Sequence, residues 1–128
     1  NFNAAHRLYN KEWSDEKNEQ VFGKCSNVNW HGHNYALFVT IEGDVNPETG
    51  FVVNLKELSQ IVRRHIIDKL DHKNLNLDVD FLKNRIPTAE NLVDAIWNQL
   101  EKPILDLGIK LHSIRLQESE NNIVEIRK

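Results

Sequence analysis

With 128 residues, 40% of them hydrophobic and 27% charged, the chain fits one domain spanning 1–128, large enough to bury a core without disulfides. A formal charge of −3 leaves no electrostatic footprint for nucleic acid or an anionic membrane, and no apolar run reaches the length of a membrane span. A single cysteine makes no intramolecular bridge, so the expected compartment is the cytoplasm; with no methionine present, the natural start is expected upstream.

Taken in chain order, "NFNAAHRLY" alternates as a strand, with Phe2, Ala4, His6 and Leu8 on one face. The polar stretch from Asn10 to Gln20 reads as a loop. "HGHNYALFVTIEG" carries the strongest period-two pattern: His31, His33, Tyr35, Leu37, Val39 and Ile41 share a face. "GDVNPETG" is a turn, and "FVVNL" is expected to return as a partner strand. Asn54 followed by Glu57 has the form of an N-cap and its capping-box partner. The helix that follows places Leu55, Leu58, Ile61, Val62, His65, Ile66 and Leu70 on one stripe and ends near Asp71-His72.

A second helix is predicted after Pro87, capped by Thr88, with Leu92, Val93, Ile96 and Leu100 facing inward and Pro103 closing it. Two strands finish the chain, "IKLHSIRLQE" and "NNIVEIRK", separated by a turn at Ser119-Glu120-Asn121-Asn122. In the first, the apolar parity switches between Leu111 and Ile114, which predicts a bulge or a sheet covered on both faces. The order ββααββ implies an α+β fold: a four-stranded antiparallel sheet with two helices on one face. The other face then needs cover, and oligomerisation supplies it at least cost.

The histidines are the first chemical question. His31 and His33, two apart on a strand, point the same way with Cα atoms roughly 7 Å apart. If the first two strands pair antiparallel, His6 lies beside them. Three imidazoles and an open position make a catalytic zinc site. Imidazoles without acidic partners favour zinc over magnesium or calcium. Spacing alone does not choose between this and ordinary polar strand residues. Cys25 has neighbours Lys24, Ser26 and Asn27, which suit an exposed thiol better than a core one. A cation nearby would lower its pKa and make a thiolate base. Asp71-His72 reads by default as a charged helix end, and alternatively as a carboxylate orienting an imidazole for proton transfer. Glu118 is by default a solvated turn residue, or else a carboxylate that accepts two N–H donors from a guanidine-like ring edge. His65 is assigned to the core or an interface, and His112 has no companion.

Together, "FNAAHRLY", "VFGKC", "HGHNY", "LDHKNLNLDV", "PTAENL…IW" and "ESENNIVE" stand in an order that resembles the 6-pyruvoyltetrahydropterin synthase and 6-carboxytetrahydropterin synthase family, from end to end. The resemblance implies zinc on His6, His31 and His33, Cys25 as the base, Asp71 and His72 as the proton relay, and Glu118 as the pterin anchor. It implies that Thr88, Ala89 and Glu90 line the pterin pocket. It also implies the tunnelling fold, a homohexamer built as a dimer of trimers, with sites between subunits. Two positions depart from the family: Trp30 stands where the animal enzymes have Gly, and Ala89 replaces a threonine. Five residues separate Cys25 from His31, as in the pyruvoyl-forming enzymes, and members that cleave the side chain to a hydroxymethyl group carry Glu in place of this Cys.

The activity implied is a zinc-dependent lyase reaction on 7,8-dihydroneopterin triphosphate, giving 6-pyruvoyltetrahydropterin. The alternative is 6-carboxy-5,6,7,8-tetrahydropterin synthesis, with release of acetaldehyde, in queuosine biosynthesis. A non-catalytic zinc- or pterin-binding module is the third reading. Lys24 or Arg7 is the expected counter-charge for the triphosphate.

Overall fold

The computed structural model describes residues 1–128. Strand β1 (Phe2–His6) pairs antiparallel with β2 (His31–Glu42), with Phe2 opposite Tyr35 and His6 opposite His31. Between them lies an unexpected helix, α1 (Asp15–Phe22). Ser14 caps it by accepting from the Lys17 amide at 3.1 Å, and Asp15 and Glu16 occupy its first turn. Its composition gives no apolar stripe to detect, because Asn18 is its one buried residue. That side chain accepts from the Asn10 amide at 2.7 Å and donates to the carbonyls of Asn10 and Ser14. A 3-10 turn over Gly23–Ser26 then leads toward β2.

Residues 51–53 do not form the expected return strand. Val52 and Val53 instead pack against the core from a loop closed by the Asn46 amide on the Phe51 carbonyl at 3.0 Å. Gly43 allows a close approach there: a Cβ would sit 3.0 Å from Ile109 Cγ2 and 3.1 Å from Val52 Cγ1. Asn54 does cap α2 (Leu55–Val62), but by accepting from the Lys56 amide at 2.9 Å; Asn54 makes no capping-box bond with Glu57. The helix continues through a π-helical turn over Arg63–Ile67 into α3 (Asp68–Leu70). Leu58, Ile66 and Leu70 are buried as expected, whereas Leu55 is 73% exposed at the open end of the helix.

The two-residue strand β3 (Lys73–Asn74) runs parallel to β1, so the sheet has five strands in the order β3-β1-β2-β4-β5, one more than the sequence pattern predicts. Too short for any period, it becomes a strand only through its tertiary partner. Helix α4 (Ala89–Leu105) opens on Thr88, whose Oγ1 accepts from the Asn91 amide at 3.2 Å. Leu92, Val93, Ile96 and Leu100 are all buried on it, each side chain contributing about 1.5–3 kcal/mol. Pro103 does not close this helix; it sits inside the last turn, where the downstream backbone still completes its bonds before Gly108 turns the chain at φ 81°.

Strands β4 (Lys110–Ser119) and β5 (Asn122–Ile126) form the closing hairpin, with Glu120 and Asn121 as its turn. The expected bulge is present: Thr40 pairs with Ser113 and Ile41 with Leu111, which leaves His112 out of register. A second irregularity falls between Gln117 and Ser119 and singles out Glu118. Helices α2 and α4 pack together, and α4 lies against β4 and β5. The opposite sheet face stays open, with Phe38 at 49% and Ile123 at 42% exposure. The α+β arrangement is therefore as the pattern implies, with one added edge strand and one added helix. No helix is long and apolar enough to cross a membrane.

Candidate metal centre and its surroundings

The antiparallel register brings His6, His31 and His33 together. Both strands place these residues on the helix-covered side, above the stacked pair Phe2 and Tyr35, whose centroids lie 4.8 Å apart. The imidazole centroids are 4.5 Å (His6 to His31), 5.1 Å (His6 to His33) and 5.0 Å (His31 to His33) apart. One nitrogen from each lies within 4.8 Å of the others. Nitrogens around a tetrahedral zinc are roughly 3.4 Å apart, so small ring rotations close the set on an ion.

The hydrogen bonding fits a cation. His6 is fully buried and its Nδ1 donates to the Pro87 carbonyl at 2.9 Å, which leaves Nε2 as the lone-pair nitrogen. His6 Nε2, both ring nitrogens of His31 and His33 Nε2 are buried without a hydrogen-bond partner. Buried polar atoms are ordinarily paired. With one nitrogen from each ring converging, these unpartnered atoms have the donor chemistry of a metal site. Burial is the main force holding His6 and His31 below the ordinary imidazole pKa, and each is further depressed by neighbouring imidazoles. The Pro87 carbonyl opposes this for His6, and Glu118 opposes it for both. Neutral imidazole is the ligating form.

Two further neighbours, Tyr35 and Pro87, shape this centre. Tyr35 is buried, its hydroxyl lies 3.5 Å from His6 Nδ1, and burial pushes its phenol well above the ordinary value. Strand parity does place it beside the histidines. Pro87 contributes only a backbone carbonyl, for which no side-chain pattern exists. Glu118 reaches the centre from β4: its Oε1 is 3.6 Å from His33 Nε2, too long for a hydrogen bond, and accepts from Asn122 Nδ2 at 3.0 Å. It shares the inward face of β4 with the buried Ile114 and Leu116, and its side chain is only 12% exposed, so it is not a solvated turn residue.

Asp71 and His72 do form a pair. Asp71 Oδ2 lies 3.0 Å from His72 Nδ1, and its Oδ1 accepts from the Asn3 amide at 2.9 Å. The Asn3 amide, then the His72 ring, hold the Asp71 carboxyl below its ordinary pKa. His72 has φ 60° and an 81% exposed side chain. Within one chain no hydrogen bond or ion pair joins this dyad to the three histidines. Cys25 is partly buried in the Gly23–Ser26 turn, and its carbonyl accepts from the Leu8 amide at 2.8 Å. Gly23 begins that turn at φ 59°, a conformation that favours glycine. Thr88 is committed to capping α4, Ala89 is buried, and Glu90 is exposed in the first helical turn.

One further sequence expectation changes, at His112. His65 is half-buried on its helix, beside Arg64 and Lys69. His112 has a companion after all: its Nδ1 is 3.8 Å from Glu42 Oε2, a contact made at the bulge. Trp30 adopts φ 70°, the left-handed region in which glycine is at ease.

The whole chain, residues 1–128, matches the family model described as 6-pyruvoyl tetrahydropterin synthase. It is 47% identical to the 6-pyruvoyl tetrahydrobiopterin synthase of Pongo abelii over 123 residues, covering 96% of this chain and 83% of that one. The solved structure of Caenorhabditis elegans 6-pyruvoyl tetrahydropterin synthase superposes with a TM-score of 0.91 at 35% identity, covering 99% of this chain and 89% of that one. A more distant relative is the 6-carboxy-5,6,7,8-tetrahydropterin synthase of Haemophilus influenzae, 28% identical over 126 residues, covering 83% of this chain and 86% of that one.

Proposed function

The chain belongs to the 6-pyruvoyl tetrahydropterin synthase family, and we propose on that footing that it is the lyase that converts 7,8-dihydroneopterin triphosphate to 6-pyruvoyltetrahydropterin and triphosphate. The observation that carries the reading is the trio His6, His31 and His33, with four buried ring nitrogens lacking partners, in a chain this similar to named synthases. Three imidazoles suit zinc, which we assign as the cofactor. When bound there, zinc supplies Lewis-acid polarisation of the side-chain hydroxyl oxygens.

The chain's own groups do the rest. Glu118 accepts from the N–H groups of the pterin edge and holds the side chain over the histidines. Pro87, through His6 Nδ1, keeps His6 in the tautomer that presents Nε2. Cys25 takes a proton from the C1′ carbinol carbon. Asp71 fixes Nδ1 of His72, so that the exposed Nε2 exchanges protons with the substrate or with Cys25. Thr88, Ala89 and Glu90 form the adjoining wall at the start of α4. C1′ becomes a carbonyl as the ring C6=N5 bond is reduced, and elimination of triphosphate leaves C2′ as a carbonyl beside a methyl group. The redox change is internal, so no outside oxidant enters.

The chain works as one domain and, in our reading, as a homohexamer made of two trimers, in the cytoplasm. The open sheet face with Phe38 and Ile123 supports association, and so does the separation of the dyad from the histidines within one chain. Both needs are met if neighbouring subunits complete the site.

The test is anaerobic turnover of 7,8-dihydroneopterin triphosphate by zinc-loaded protein, with products read by mass spectrometry and an acetaldehyde assay. A 6-pyruvoyl product without acetaldehyde supports the proposal. Acetaldehyde with a 6-carboxy product moves the chain to the activity named for the Haemophilus relative. Zinc and pterin binding with unchanged substrate leaves a non-catalytic binding module.

A further inference from the structure

We infer that Arg7 is a positioning residue that holds the Cys25 turn against the metal-bearing strand, rather than the counter-charge of the triphosphate. The inference rests on the reading of Cys25 as the base. Arg7 follows His6 directly, so anything fixed to Arg7 is registered to the histidines. Its Nε donates to the Ser26 carbonyl at 2.7 Å, and the next residue's amide, Leu8 N, donates to the Cys25 carbonyl at 2.8 Å. Two successive residues thus hold two successive carbonyls, that of Cys25 itself and that of Ser26. The guanidinium sits over Tyr9, its Cζ 4.0 Å from the ring centroid, which restricts its movement.

The backbone of Arg7 is held in turn. Asn76 Oδ1 accepts from the Arg7 amide at 2.8 Å, and Asn76 Nδ2 donates to the Arg7 carbonyl at 2.9 Å. Asn76 belongs to the segment that begins with Asp71-His72, so one residue connects metal strand, thiol turn and dyad segment. By contrast, the turn's own internal bonds, Ser26 Oγ to Gly23 O at 2.8 Å and Asn27 N to Lys24 O at 3.2 Å, do not tether it to the sheet.

The charge around Arg7 argues against the anion role. A cavity of about 570 Å³ opens beside it, and Arg7 and Lys24 line this cavity together with Asp15 and Glu19. Two carboxylates facing two cations leave no surplus for a polyanion. With Nε bonded to Ser26 and one face against Tyr9, the side-on fork through Nε is closed to phosphate.

The test compares wild type, Arg7→Gln and Arg7→Lys. Cys25 is the one cysteine, so whole-protein mass reports its alkylation by iodoacetamide in the free enzyme. In Arg7→Gln the released turn should raise the alkylation rate about five-fold or more, since access controls thiol reactivity. Its kcat should fall by roughly a hundred-fold, the scale of an angstrom-level misplacement, with KM within about two-fold of wild type. Arg7→Lys can still reach Ser26 O and should recover part of both effects. A KM raised by about ten-fold or more with unchanged alkylation, together with weaker inhibition by inorganic triphosphate, would overturn the inference and return Arg7 to the anion role. If Arg7→Gln does not fold, Arg7→Lys decides: alkylation and kcat both at wild-type values overturn it. Because alkylation needs no turnover, inactivity of the wild type defeats the lyase proposal alone.

Discussion

His6 and Pro87 lie 81 residues apart in the chain and meet through one hydrogen bond, Nδ1–H to the carbonyl at 2.9 Å. That bond sets which nitrogen of a fully buried imidazole stays bare, and it ties the entry of α4 to the end of β1. The geometry of the histidine trio therefore depends on the helix layer as well as on the sheet.

Replacing His31 tests the centre with least disturbance to packing, because both its ring nitrogens lack protein partners. In His31→Ala, zinc content by elemental analysis should fall from one per chain toward none. The affinity loss should exceed about a hundred-fold, since loss of an outer-shell partner alone costs about 10–100-fold. The far-ultraviolet dichroism of the variant should match wild type. Undiminished zinc would remove His31 from the ligand set.

The depressed pKa values of His6 and His31 set a direction for pH dependence. In the metal-free protein the unfolded chain takes up protons at about the ordinary value of 6.5 while the folded imidazoles still resist them. Stability is thus fully present above 6.5 and declines as pH falls through that value toward the lower folded pKa values. Thermal unfolding from pH 7.5 to 5 should show the metal-free Tm dropping, and saturating zinc should move the drop to lower pH because bound imidazoles cannot protonate. A flat metal-free profile would contradict the sign.

Asp71→Asn separates chemistry from stability. An ion pair whose histidine is 81% exposed contributes little to folding, so Tm should barely move. If the dyad transfers protons, kcat should fall by about 10²–10⁴-fold while zinc content is unchanged. Steady-state kinetics beside calorimetry gives both numbers, and normal kcat would leave the pair as a helix-end ornament.

Trp30 holds a left-handed backbone at φ 70°, which costs a non-glycine residue about 1–2 kcal/mol. Glycine relieves that cost but loses the contacts of a partly buried indole. Trp30→Gly is expected to keep or raise the urea midpoint, by up to about 1 kcal/mol of stability. A clear fall in midpoint would mean that indole packing outweighs the backbone strain.

The strands carrying the histidines were legible because a period of two is a local property, and side chains on one strand face share a fate whatever the fold. The same holds for α4, whose stripe of Leu92, Val93, Ile96 and Leu100 needs only a 3.6-residue repeat, and for the bulge betrayed by the parity change at Leu111 and Ile114. Helix α1 was hidden because it is polar up to Val21 and Phe22 at its end, and the Ser14 cap and the bonds of Asn18 hold it in place. Residues 51–53 have strand-like composition yet pack as a loop, a choice made by contact with the core. Motif order carried the family. Register decided the geometry: pairing His6 with His31 put three imidazoles in one place, the pairing of β2 with β4 brought Glu118 beside His33, and Pro87 selected the nitrogen. Those last facts join residues far apart in the chain, and only the folded backbone brings such residues within hydrogen-bonding distance.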